Sequence, residues 1–266
     1  MMDTGQGPAA SYFQRLGPHE FLPSEHVGGA WTVEEQHIAP ALGLLAHEVE
    51  LDRDARRSDG LQLARLSFDI LGTLPLDAVS VEVEVLRPGR SIDLVEARLI
   101  HDGRDALVLR AWLMKSYDTS RIAGTSFPAI EGPDDVEAWD PTVIWPGGFV
   151  KSVEVRRREV EPGRATVWVK SDVALIEEEH VSILARNVGL LDLANGMTPR
   201  VSAAEVAFPN LDLTVHFFNQ ARGRWLGFDA TVSLGASGIG LTESVIHDVD
   251  GPIGTMSQCL TVRPRS

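Results

Sequence analysis

The chain contains one cysteine, Cys259, in 266 residues. No internal disulfide can form, which fits a reducing compartment. A lone thiol in the apolar–polar run 256–262 reads as a small hydrophobe sooner than as a nucleophile. Long apolar runs are scarce too, and none reaches the roughly 18 residues that a membrane-spanning helix needs. The first thirty residues carry Asp3, Arg15, Glu20 and Glu25 and show no apolar core of a secretion signal. Basic charge is in deficit: Lys and Arg total 24 against 38 Asp and Glu, a formal net charge of −14. That field repels nucleic acid and anionic membrane surfaces. The spacings HExxH and CxxC are missing, as are GxGxxG, GxxxxGK[ST] and GxSxG, so metal, nucleotide-loop and hydrolase-elbow chemistry have no support. Gly235–Gly240 (GASGIG) lies between two expected strands rather than before a helix and reads as a β-turn. The expectation is a soluble cytoplasmic protein with no metal, no cofactor, and neither nucleic acid nor membrane as partner.

What is present is repetition. Gly43-Leu44-Leu45 recurs as Gly189-Leu190-Leu191, and Ile100-His101-Asp102 as Ile246-His247-Asp248. Leu66, Ser67 and Ile70 fall on Leu213, Thr214 and Phe217, and Leu94 and Glu96 on Leu241 and Glu243. Matches in one order at a nearly constant offset point to two copies of one domain.

The copies share a grammar. In the first, 36–51 is an apolar run with Ile38, Leu42, Leu45 and Val49 at helical spacing, and charged 52–59 reads as a loop. Strands follow at 63–71, at the alternation of Val79, Val81, Val83 and Val85, at 91–101, and, after the Asp102-Gly103 turn, at 106–115. The second copy has a short strand at 165–170, a helix at 181–196 closed by Asn195-Gly196 as a left-handed stop, and strands at 211–219, 224–234, 241–248 and 253–262. Residues 117–148, with Pro128, Pro133, Pro141 and Pro146, read as a surface linker. The expected organisation is 1–117, linker 118–148, and 149–266. An antiparallel sheet with one apolar face can cover it by curling around a single helix, which makes the fold class α+β. A helix flanked by unrelated β-sandwiches is the alternative.

A polar set stands out in the second copy. Asp192, among Leu190, Leu191, Leu193 and Ala194, is either on an exposed helix face or held near the core. Asn210, Asp212, Thr214 and His216 alternate with Leu211, Leu213, Val215 and Phe217 and so share a strand face, which could equally face solvent. Gln258 sits on the last strand. Arg87, Arg90 and Arg156-Arg157-Arg158 are the candidates for a local basic patch.

The segments Asp192-Leu193-Ala194-Asn195-Gly196, 210–216 (NLDLTVH), 254–258 (GTMSQ) and 262–265 (VRPR), with 28–31 (GGAW) and 85–91 (VLRPGRS) in the first copy, resemble the acyl-CoA thioesterase-like superfamily. These are tandem hot-dog proteins related to bacterial type II acyl-CoA thioesterases, and the likeness runs over about residues 20–265. It implies a double hot-dog fold and hydrolysis of a fatty acyl-CoA to free acid and CoA. In that family an Asp, a hydroxyl residue and a Gln orient the attacking water. Asp192 and Gln258 match the first and third, while Asn210 stands at the hydroxyl position. The catalytic set implied is therefore Asp192, Asn210 and Gln258, with Thr214, Gly196 and Asp212 as substrate contacts, and further association into a homo-oligomer is possible. In the first copy the same positions fall on Ala46, Leu63 and Arg110, so one site per chain is expected. The alternatives are a non-catalytic acyl-CoA or lipid-binding protein, and acyl-CoA dehydration using His216 with Asp192.

Overall fold

The computed structural model describes residues 10–265. Its first part runs β1 (Ser11–Gly17), β2 (Glu20–Pro23), α1 (Ile38–Arg56), β3 (Gln62–Ile70), β4 (Val79–Arg87), β5 (Ile92–His101) and β6 (Arg104–Met114). After a stretch holding β7 (Ala138–Trp139) come α2 (Gly148–Lys151), β8 (Val153–Glu161), β9 (Arg164–Ser171) and β10 (Ala174–Ile176). Next are α3 (Ile183–Val188), α4 (Leu193–Met197), β11 (Val206–Ala207), β12 (Asp212–Phe217), β13 (Leu226–Leu234), β14 (Ile239–Asp248), β15 (Gly251–Thr261) and β16 (Arg263–Pro264).

All but β11 and β16 form one 14-stranded sheet in the order β10-β1-β2-β4-β5-β6-β3-β12-β15-β14-β13-β9-β8-β7. Read outward from the β3–β12 seam, the two halves match: β3 with β12, β6 with β15, β5 with β14, β4 with β13. Ser67 pairs with Thr214 in register, and these are the residues that the sequence repeat superposes. Each half curls over helical structure, which is the double hot-dog arrangement expected.

Helix α1 is buried on every side from Ala39 to Val49, as a central helix must be. Pro40 is tolerated because it sits in the first turn. The helix does not stop at Leu51: charged 52–56, expected as loop, continues it out of the core, with Arg56 and Asp52 paired one turn apart at 2.8 Å. The second helix also departs from expectation. It is broken into α3 and α4, and Gly196 lies inside α4 rather than in a left-handed stop. The break falls where the two halves meet. A Cβ on Gly43 would lie 2.8 Å from the Ala185 carbonyl oxygen and 3.0 Å from the Gly189 Cα, so α1 crosses the α3 terminus backbone to backbone. Past that crossing the chain turns at 189–192 and restarts with Asp192 at the N-cap position of α4.

The Asp102-Gly103 turn forms as expected, with φ of 49° and 72°. Residues 117–130 are largely exposed, but Val136 and Trp145 further along are 2% and 3% exposed and belong to the core. β8, which carries Arg156-Arg157-Arg158, is a strand that the sequence pattern did not reveal.

Candidate active site

Asp192, Asn210 and Gln258 come together from three elements. Asp192 occupies the N-cap position of α4 with its side chain making no capping bond, Asn210 precedes β12 and bridges to Leu260, and Gln258 points inward from β15. Asn210 Nδ2 donates to Asp192 Oδ1 at 2.7 Å, and Gln258 Nε2 donates to the same oxygen at 2.9 Å. Asn210 Nδ2 also donates to the Asp212 carbonyl at 3.2 Å. These acceptors fix both amide orientations, because each NH2 group must face an oxygen. Gln258 Oε1 is buried without a partner, an acceptor held at the site.

The other carboxylate oxygen, Asp192 Oδ2, faces His37 Nδ1 at 3.8 Å. His37 is the N-cap of α1, and its Nδ1 accepts from the Ala39 N–H at 3.2 Å. The imidazole rests against Phe149 with ring centroids 4.5 Å apart. Burial pushes the His37 pKa down to about 4. The ring is then neutral, and with Nδ1 accepting, its proton sits on Nε2. Burial likewise pushes Asp192 up to about 7, opposed by the two amide donors from Asn210 and Gln258.

Two cavities meet at this group. One is an open cleft of about 290 Å³ edged by Gly72, Thr73, Leu74 and Leu211. The other is an interior pocket of about 30 Å³ walled by Trp145, Phe208, Leu193 and Met197. Ala30, Trp31, His37, Asp192 and Asn210 line both.

Of the expected substrate contacts, Gly196 lines the inner pocket, and its carbonyl accepts from Trp145 Nε1 at 2.7 Å. Asp212 supplies its carbonyl to Asn210, while its Oδ1 accepts from the Cys259 N–H at 2.6 Å. Thr214 is not brought to Asp192: its hydroxyl lies 2.8 Å from that of Ser67 at the seam. His216 is exposed in a separate hollow with Thr214, Arg164 and Asp229. The histidine that does meet Asp192 is His37, from the other copy. Sequence reasoning missed it, although a histidine directly before an apolar helical run, where Ser, Thr, Asp or Asn is usual, was a usable signal.

None of the three clustered arginines bonds Asp192, Asn210 or Gln258, though Arg157 reaches the backbone of Met197 in the inner-pocket wall. Arg158 pairs with Glu131, Arg157 with Glu159 and with the Met197 carbonyl, and Arg156 stacks on Trp225. The comparison between copies also needs one correction. Ser67 pairs with Arg110 while Thr214 pairs with Ser257, so Arg110 corresponds to Ser257, and Gln258 corresponds to Ala111. Ala46, Leu63 and Ala111 are all fully buried and apolar, so the first copy carries no equivalent polar set. Among the described residues no group of three or more His, Cys, Asp or Glu is placed to hold a metal, and no helix is long and apolar enough to cross a membrane.

Comparison with known proteins bears on the family and the fold. Residues 27–114 match the model of an acyl-CoA thioesterase N-terminal domain, and residues 128–262 that of the acyl-CoA thioesterase C-terminal domain. A putative thioesterase from Novosphingobium aromaticivorans is 19% identical, with 94% of this chain and 98% of that one covered at a TM-score of 0.70. An acyl-CoA thioesterase II from Mycobacterium marinum is 18% identical, with 96% of each chain covered and a TM-score of 0.67. A hot-dog protein of unknown function from Alicyclobacillus acidocaldarius is 14% identical over 97% of this chain and 98% of that one, at a TM-score of 0.72. At such identities the likeness is one of fold. No curated protein matches the sequence.

Proposed function

The chain belongs to the acyl-CoA thioesterase family, and on that premise we propose that it hydrolyses acyl-CoA thioesters to the free acid and CoA, with Asp192 as general base. One observation carries the reading: a buried carboxylate held by two amides at the junction of two cavities, its pKa pushed to about 7. A base titrating near neutral pH is ionised often enough to work and basic enough to take a proton.

The roles follow from which atoms are already engaged. Oδ1 of Asp192 accepts both amides, so Oδ2 is the oxygen left to take a proton from water. The second water hydrogen has an acceptor in the unpartnered Gln258 Oε1, and we assign the side-chain oxygen of Asn210 as the other. Asn210 thus does the orienting work that a hydroxyl does in the family pattern, while both its donated bonds steady Asp192 and the chain beside it. Water oxygen attacks the thioester carbon and the carbonyl becomes an oxyanion. The intermediate collapses with loss of CoA thiolate, which takes back the proton held by Asp192. His37 and Ile38, at the positive N-terminal end of α1, line the open cleft, and we assign that end and the Nε2–H of His37 to favouring the oxyanion.

Dehydration of a 3-hydroxyacyl group would need an imidazole nitrogen free to act as base in the cavity. In His37 the lone pair of Nδ1 takes the Ala39 N–H, and Nε2 carries the proton. Hydrolysis is the better fit. The test is thiol release from acyl-CoA by the full chain, read with a thiol reagent. Replacing Asp192 by Ala should cut turnover at least about 100-fold. Acyl-CoA binding with no thiol released by the wild type would make the protein a binding module and sink the proposal.

A further inference from the structure

The two cavities differ in kind, and the difference bears on what the substrate carries. Lining the open cleft are Leu71 and Leu211, 59% and 51% exposed, so that side reaches solvent. The inner pocket is walled by Trp145, Leu193, Met197 and Phe208, none more than 3% exposed. CoA bears a long pantetheine arm and a charged nucleotide, which a pocket of about 30 Å³ cannot take. With the thioester carbon at Asp192, CoA must leave through the open cleft and the acyl group must point inward.

Inward there is little room. The pocket offers about 30 Å³, where one water needs roughly 10–15 Å³. Three aromatic rings of its lining pack edge to face against one another: Trp31 lies 4.9 Å from Trp145 and 5.3 Å from Phe208, and Trp145 lies 6.0 Å from Phe208. Trp145 cannot swing aside cheaply, since its indole N–H is bonded to the Gly196 carbonyl at 2.7 Å.

Resting on the hydrolase reading above, we propose that the enzyme is built for short acyl groups of roughly two to four carbons, with Trp31, Trp145, Phe208 and Met197 as the residues that set the length. A longer chain would have to displace the aromatic wall or double back into the cleft beside the pantetheine arm.

The test is a chain-length series on the full protein. Acetyl- to butyryl-CoA should be hydrolysed with kcat/KM at least about tenfold above dodecanoyl-CoA. Shortening the floor with Met197→Ala, which leaves the Trp145–Gly196 bond in place, should move the preferred length up by about two carbons. Equal or better hydrolysis of dodecanoyl-CoA by the wild type overturns the inference and leaves the hydrolase reading intact. Binding of the non-hydrolysable 2-oxobutyl- and 2-oxododecyl-CoA thioethers, followed by calorimetry, separates the two ideas. If no thioester is cleaved but the short thioether binds more tightly, the hydrolase reading fails and the length assignment stands. Tighter binding of the long thioether, or binding of neither, overturns the length assignment.

Discussion

Ser67 and Thr214 face one another in register where β3 pairs with β12, their hydroxyl oxygens 2.8 Å apart. Each occupies the other's place in the repeat, so the local two-fold of the molecule runs between them. The two halves are therefore joined by a main-chain ladder at the spot where they are most alike. The two hydroxyls bond each other and neither bonds Asp192, which has no carboxylate counterpart in the first half.

That placement predicts that the seam matters for cohesion and not for turnover. Removing either hydroxyl alone, by Ser67→Ala or Thr214→Val, leaves the other half-buried without its partner and should cost about 1 kcal/mol. Removing both should cost less than the sum, and a double-mutant cycle in urea measures the coupling. Thioester hydrolysis should stay within about twofold of wild type. A large fall in kcat/KM for Thr214→Val would return Thr214 to the substrate site.

The crossing of the two central helices makes a second case in which opposing effects can be weighed. Alanine in place of a helical glycine usually gains up to about 1 kcal/mol. At Gly43 the new methyl would meet the backbone of Ala185 and Gly189 at 2.8 and 3.0 Å, and backbone cannot move aside cheaply. Gly43→Ala should therefore destabilise by roughly 1–3 kcal/mol. At Gly189 the nearest atom would be the Arg186 carbonyl oxygen at 3.2 Å, so Gly189→Ala should be the milder change. Thermal melts of the two variants check the order, and a stabilised Gly43→Ala would show that the helices are not held at that distance.

Much of the architecture was legible because it rests on local pattern. The alternation from Val79 to Val85 and the Asp102-Gly103 turn need only neighbours to be understood, and the repeat needs only one offset. That offset drifts, however, from 146 at Gly43 and Gly189 to 147 along β3 and β12, and sequence alone does not show where the residue is gained. The turn glycines Gly103 and Gly251 stand 148 apart, and carrying that offset onto the last strand set Gln258 against Arg110, when the strand register sets it against Ala111. The break in the helix expected over 181–196 falls at Gly189, where α1 passes closely at Gly43, a contact that the sequence of that segment does not show. His37 was missed on similar grounds: it reaches Asp192 from the other copy, 155 residues away, through a fold-level contact that no local pattern encodes.

The two amides should tune the base, and that can be read apart from any structural role. Asn210 and Gln258 both donate to Asp192 and so hold its pKa below what burial alone would give. The wild-type kcat/KM should climb about tenfold per pH unit below an inflection near 7 and level off above it. Asn210→Ala or Gln258→Leu should move that inflection to higher pH, because the ionised form loses a donor. A variant that lowers the plateau but leaves the inflection in place would show that its amide does not act through Asp192.

The same raised pKa makes Asp192 a liability for folding. In the unfolded chain its carboxyl titrates near 3.8, and in the folded one near 7. Between those values the native state binds the extra proton, so the contribution to stability is full below about pH 4 and is lost as pH rises through 7. A shift of this size corresponds to about 4 kcal/mol once the group is ionised. Asn at this position keeps an oxygen for the Asn210 and Gln258 donors and brings no charge to bury. Asp192→Asn should therefore abolish hydrolysis and yet melt higher than wild type at pH 8. A gain of even half the full value amounts to roughly 4–8 °C. The advantage should shrink toward pH 5, where the wild-type carboxyl is already protonated. His37, neutral throughout this range with its pKa near 4, adds nothing to the difference. Melting curves of both proteins from pH 5 to pH 8 decide it: parallel curves with no crossover or convergence would mean that Asp192 is ionised in the fold at little cost, and the case for it as a base poised near neutrality would go with that result.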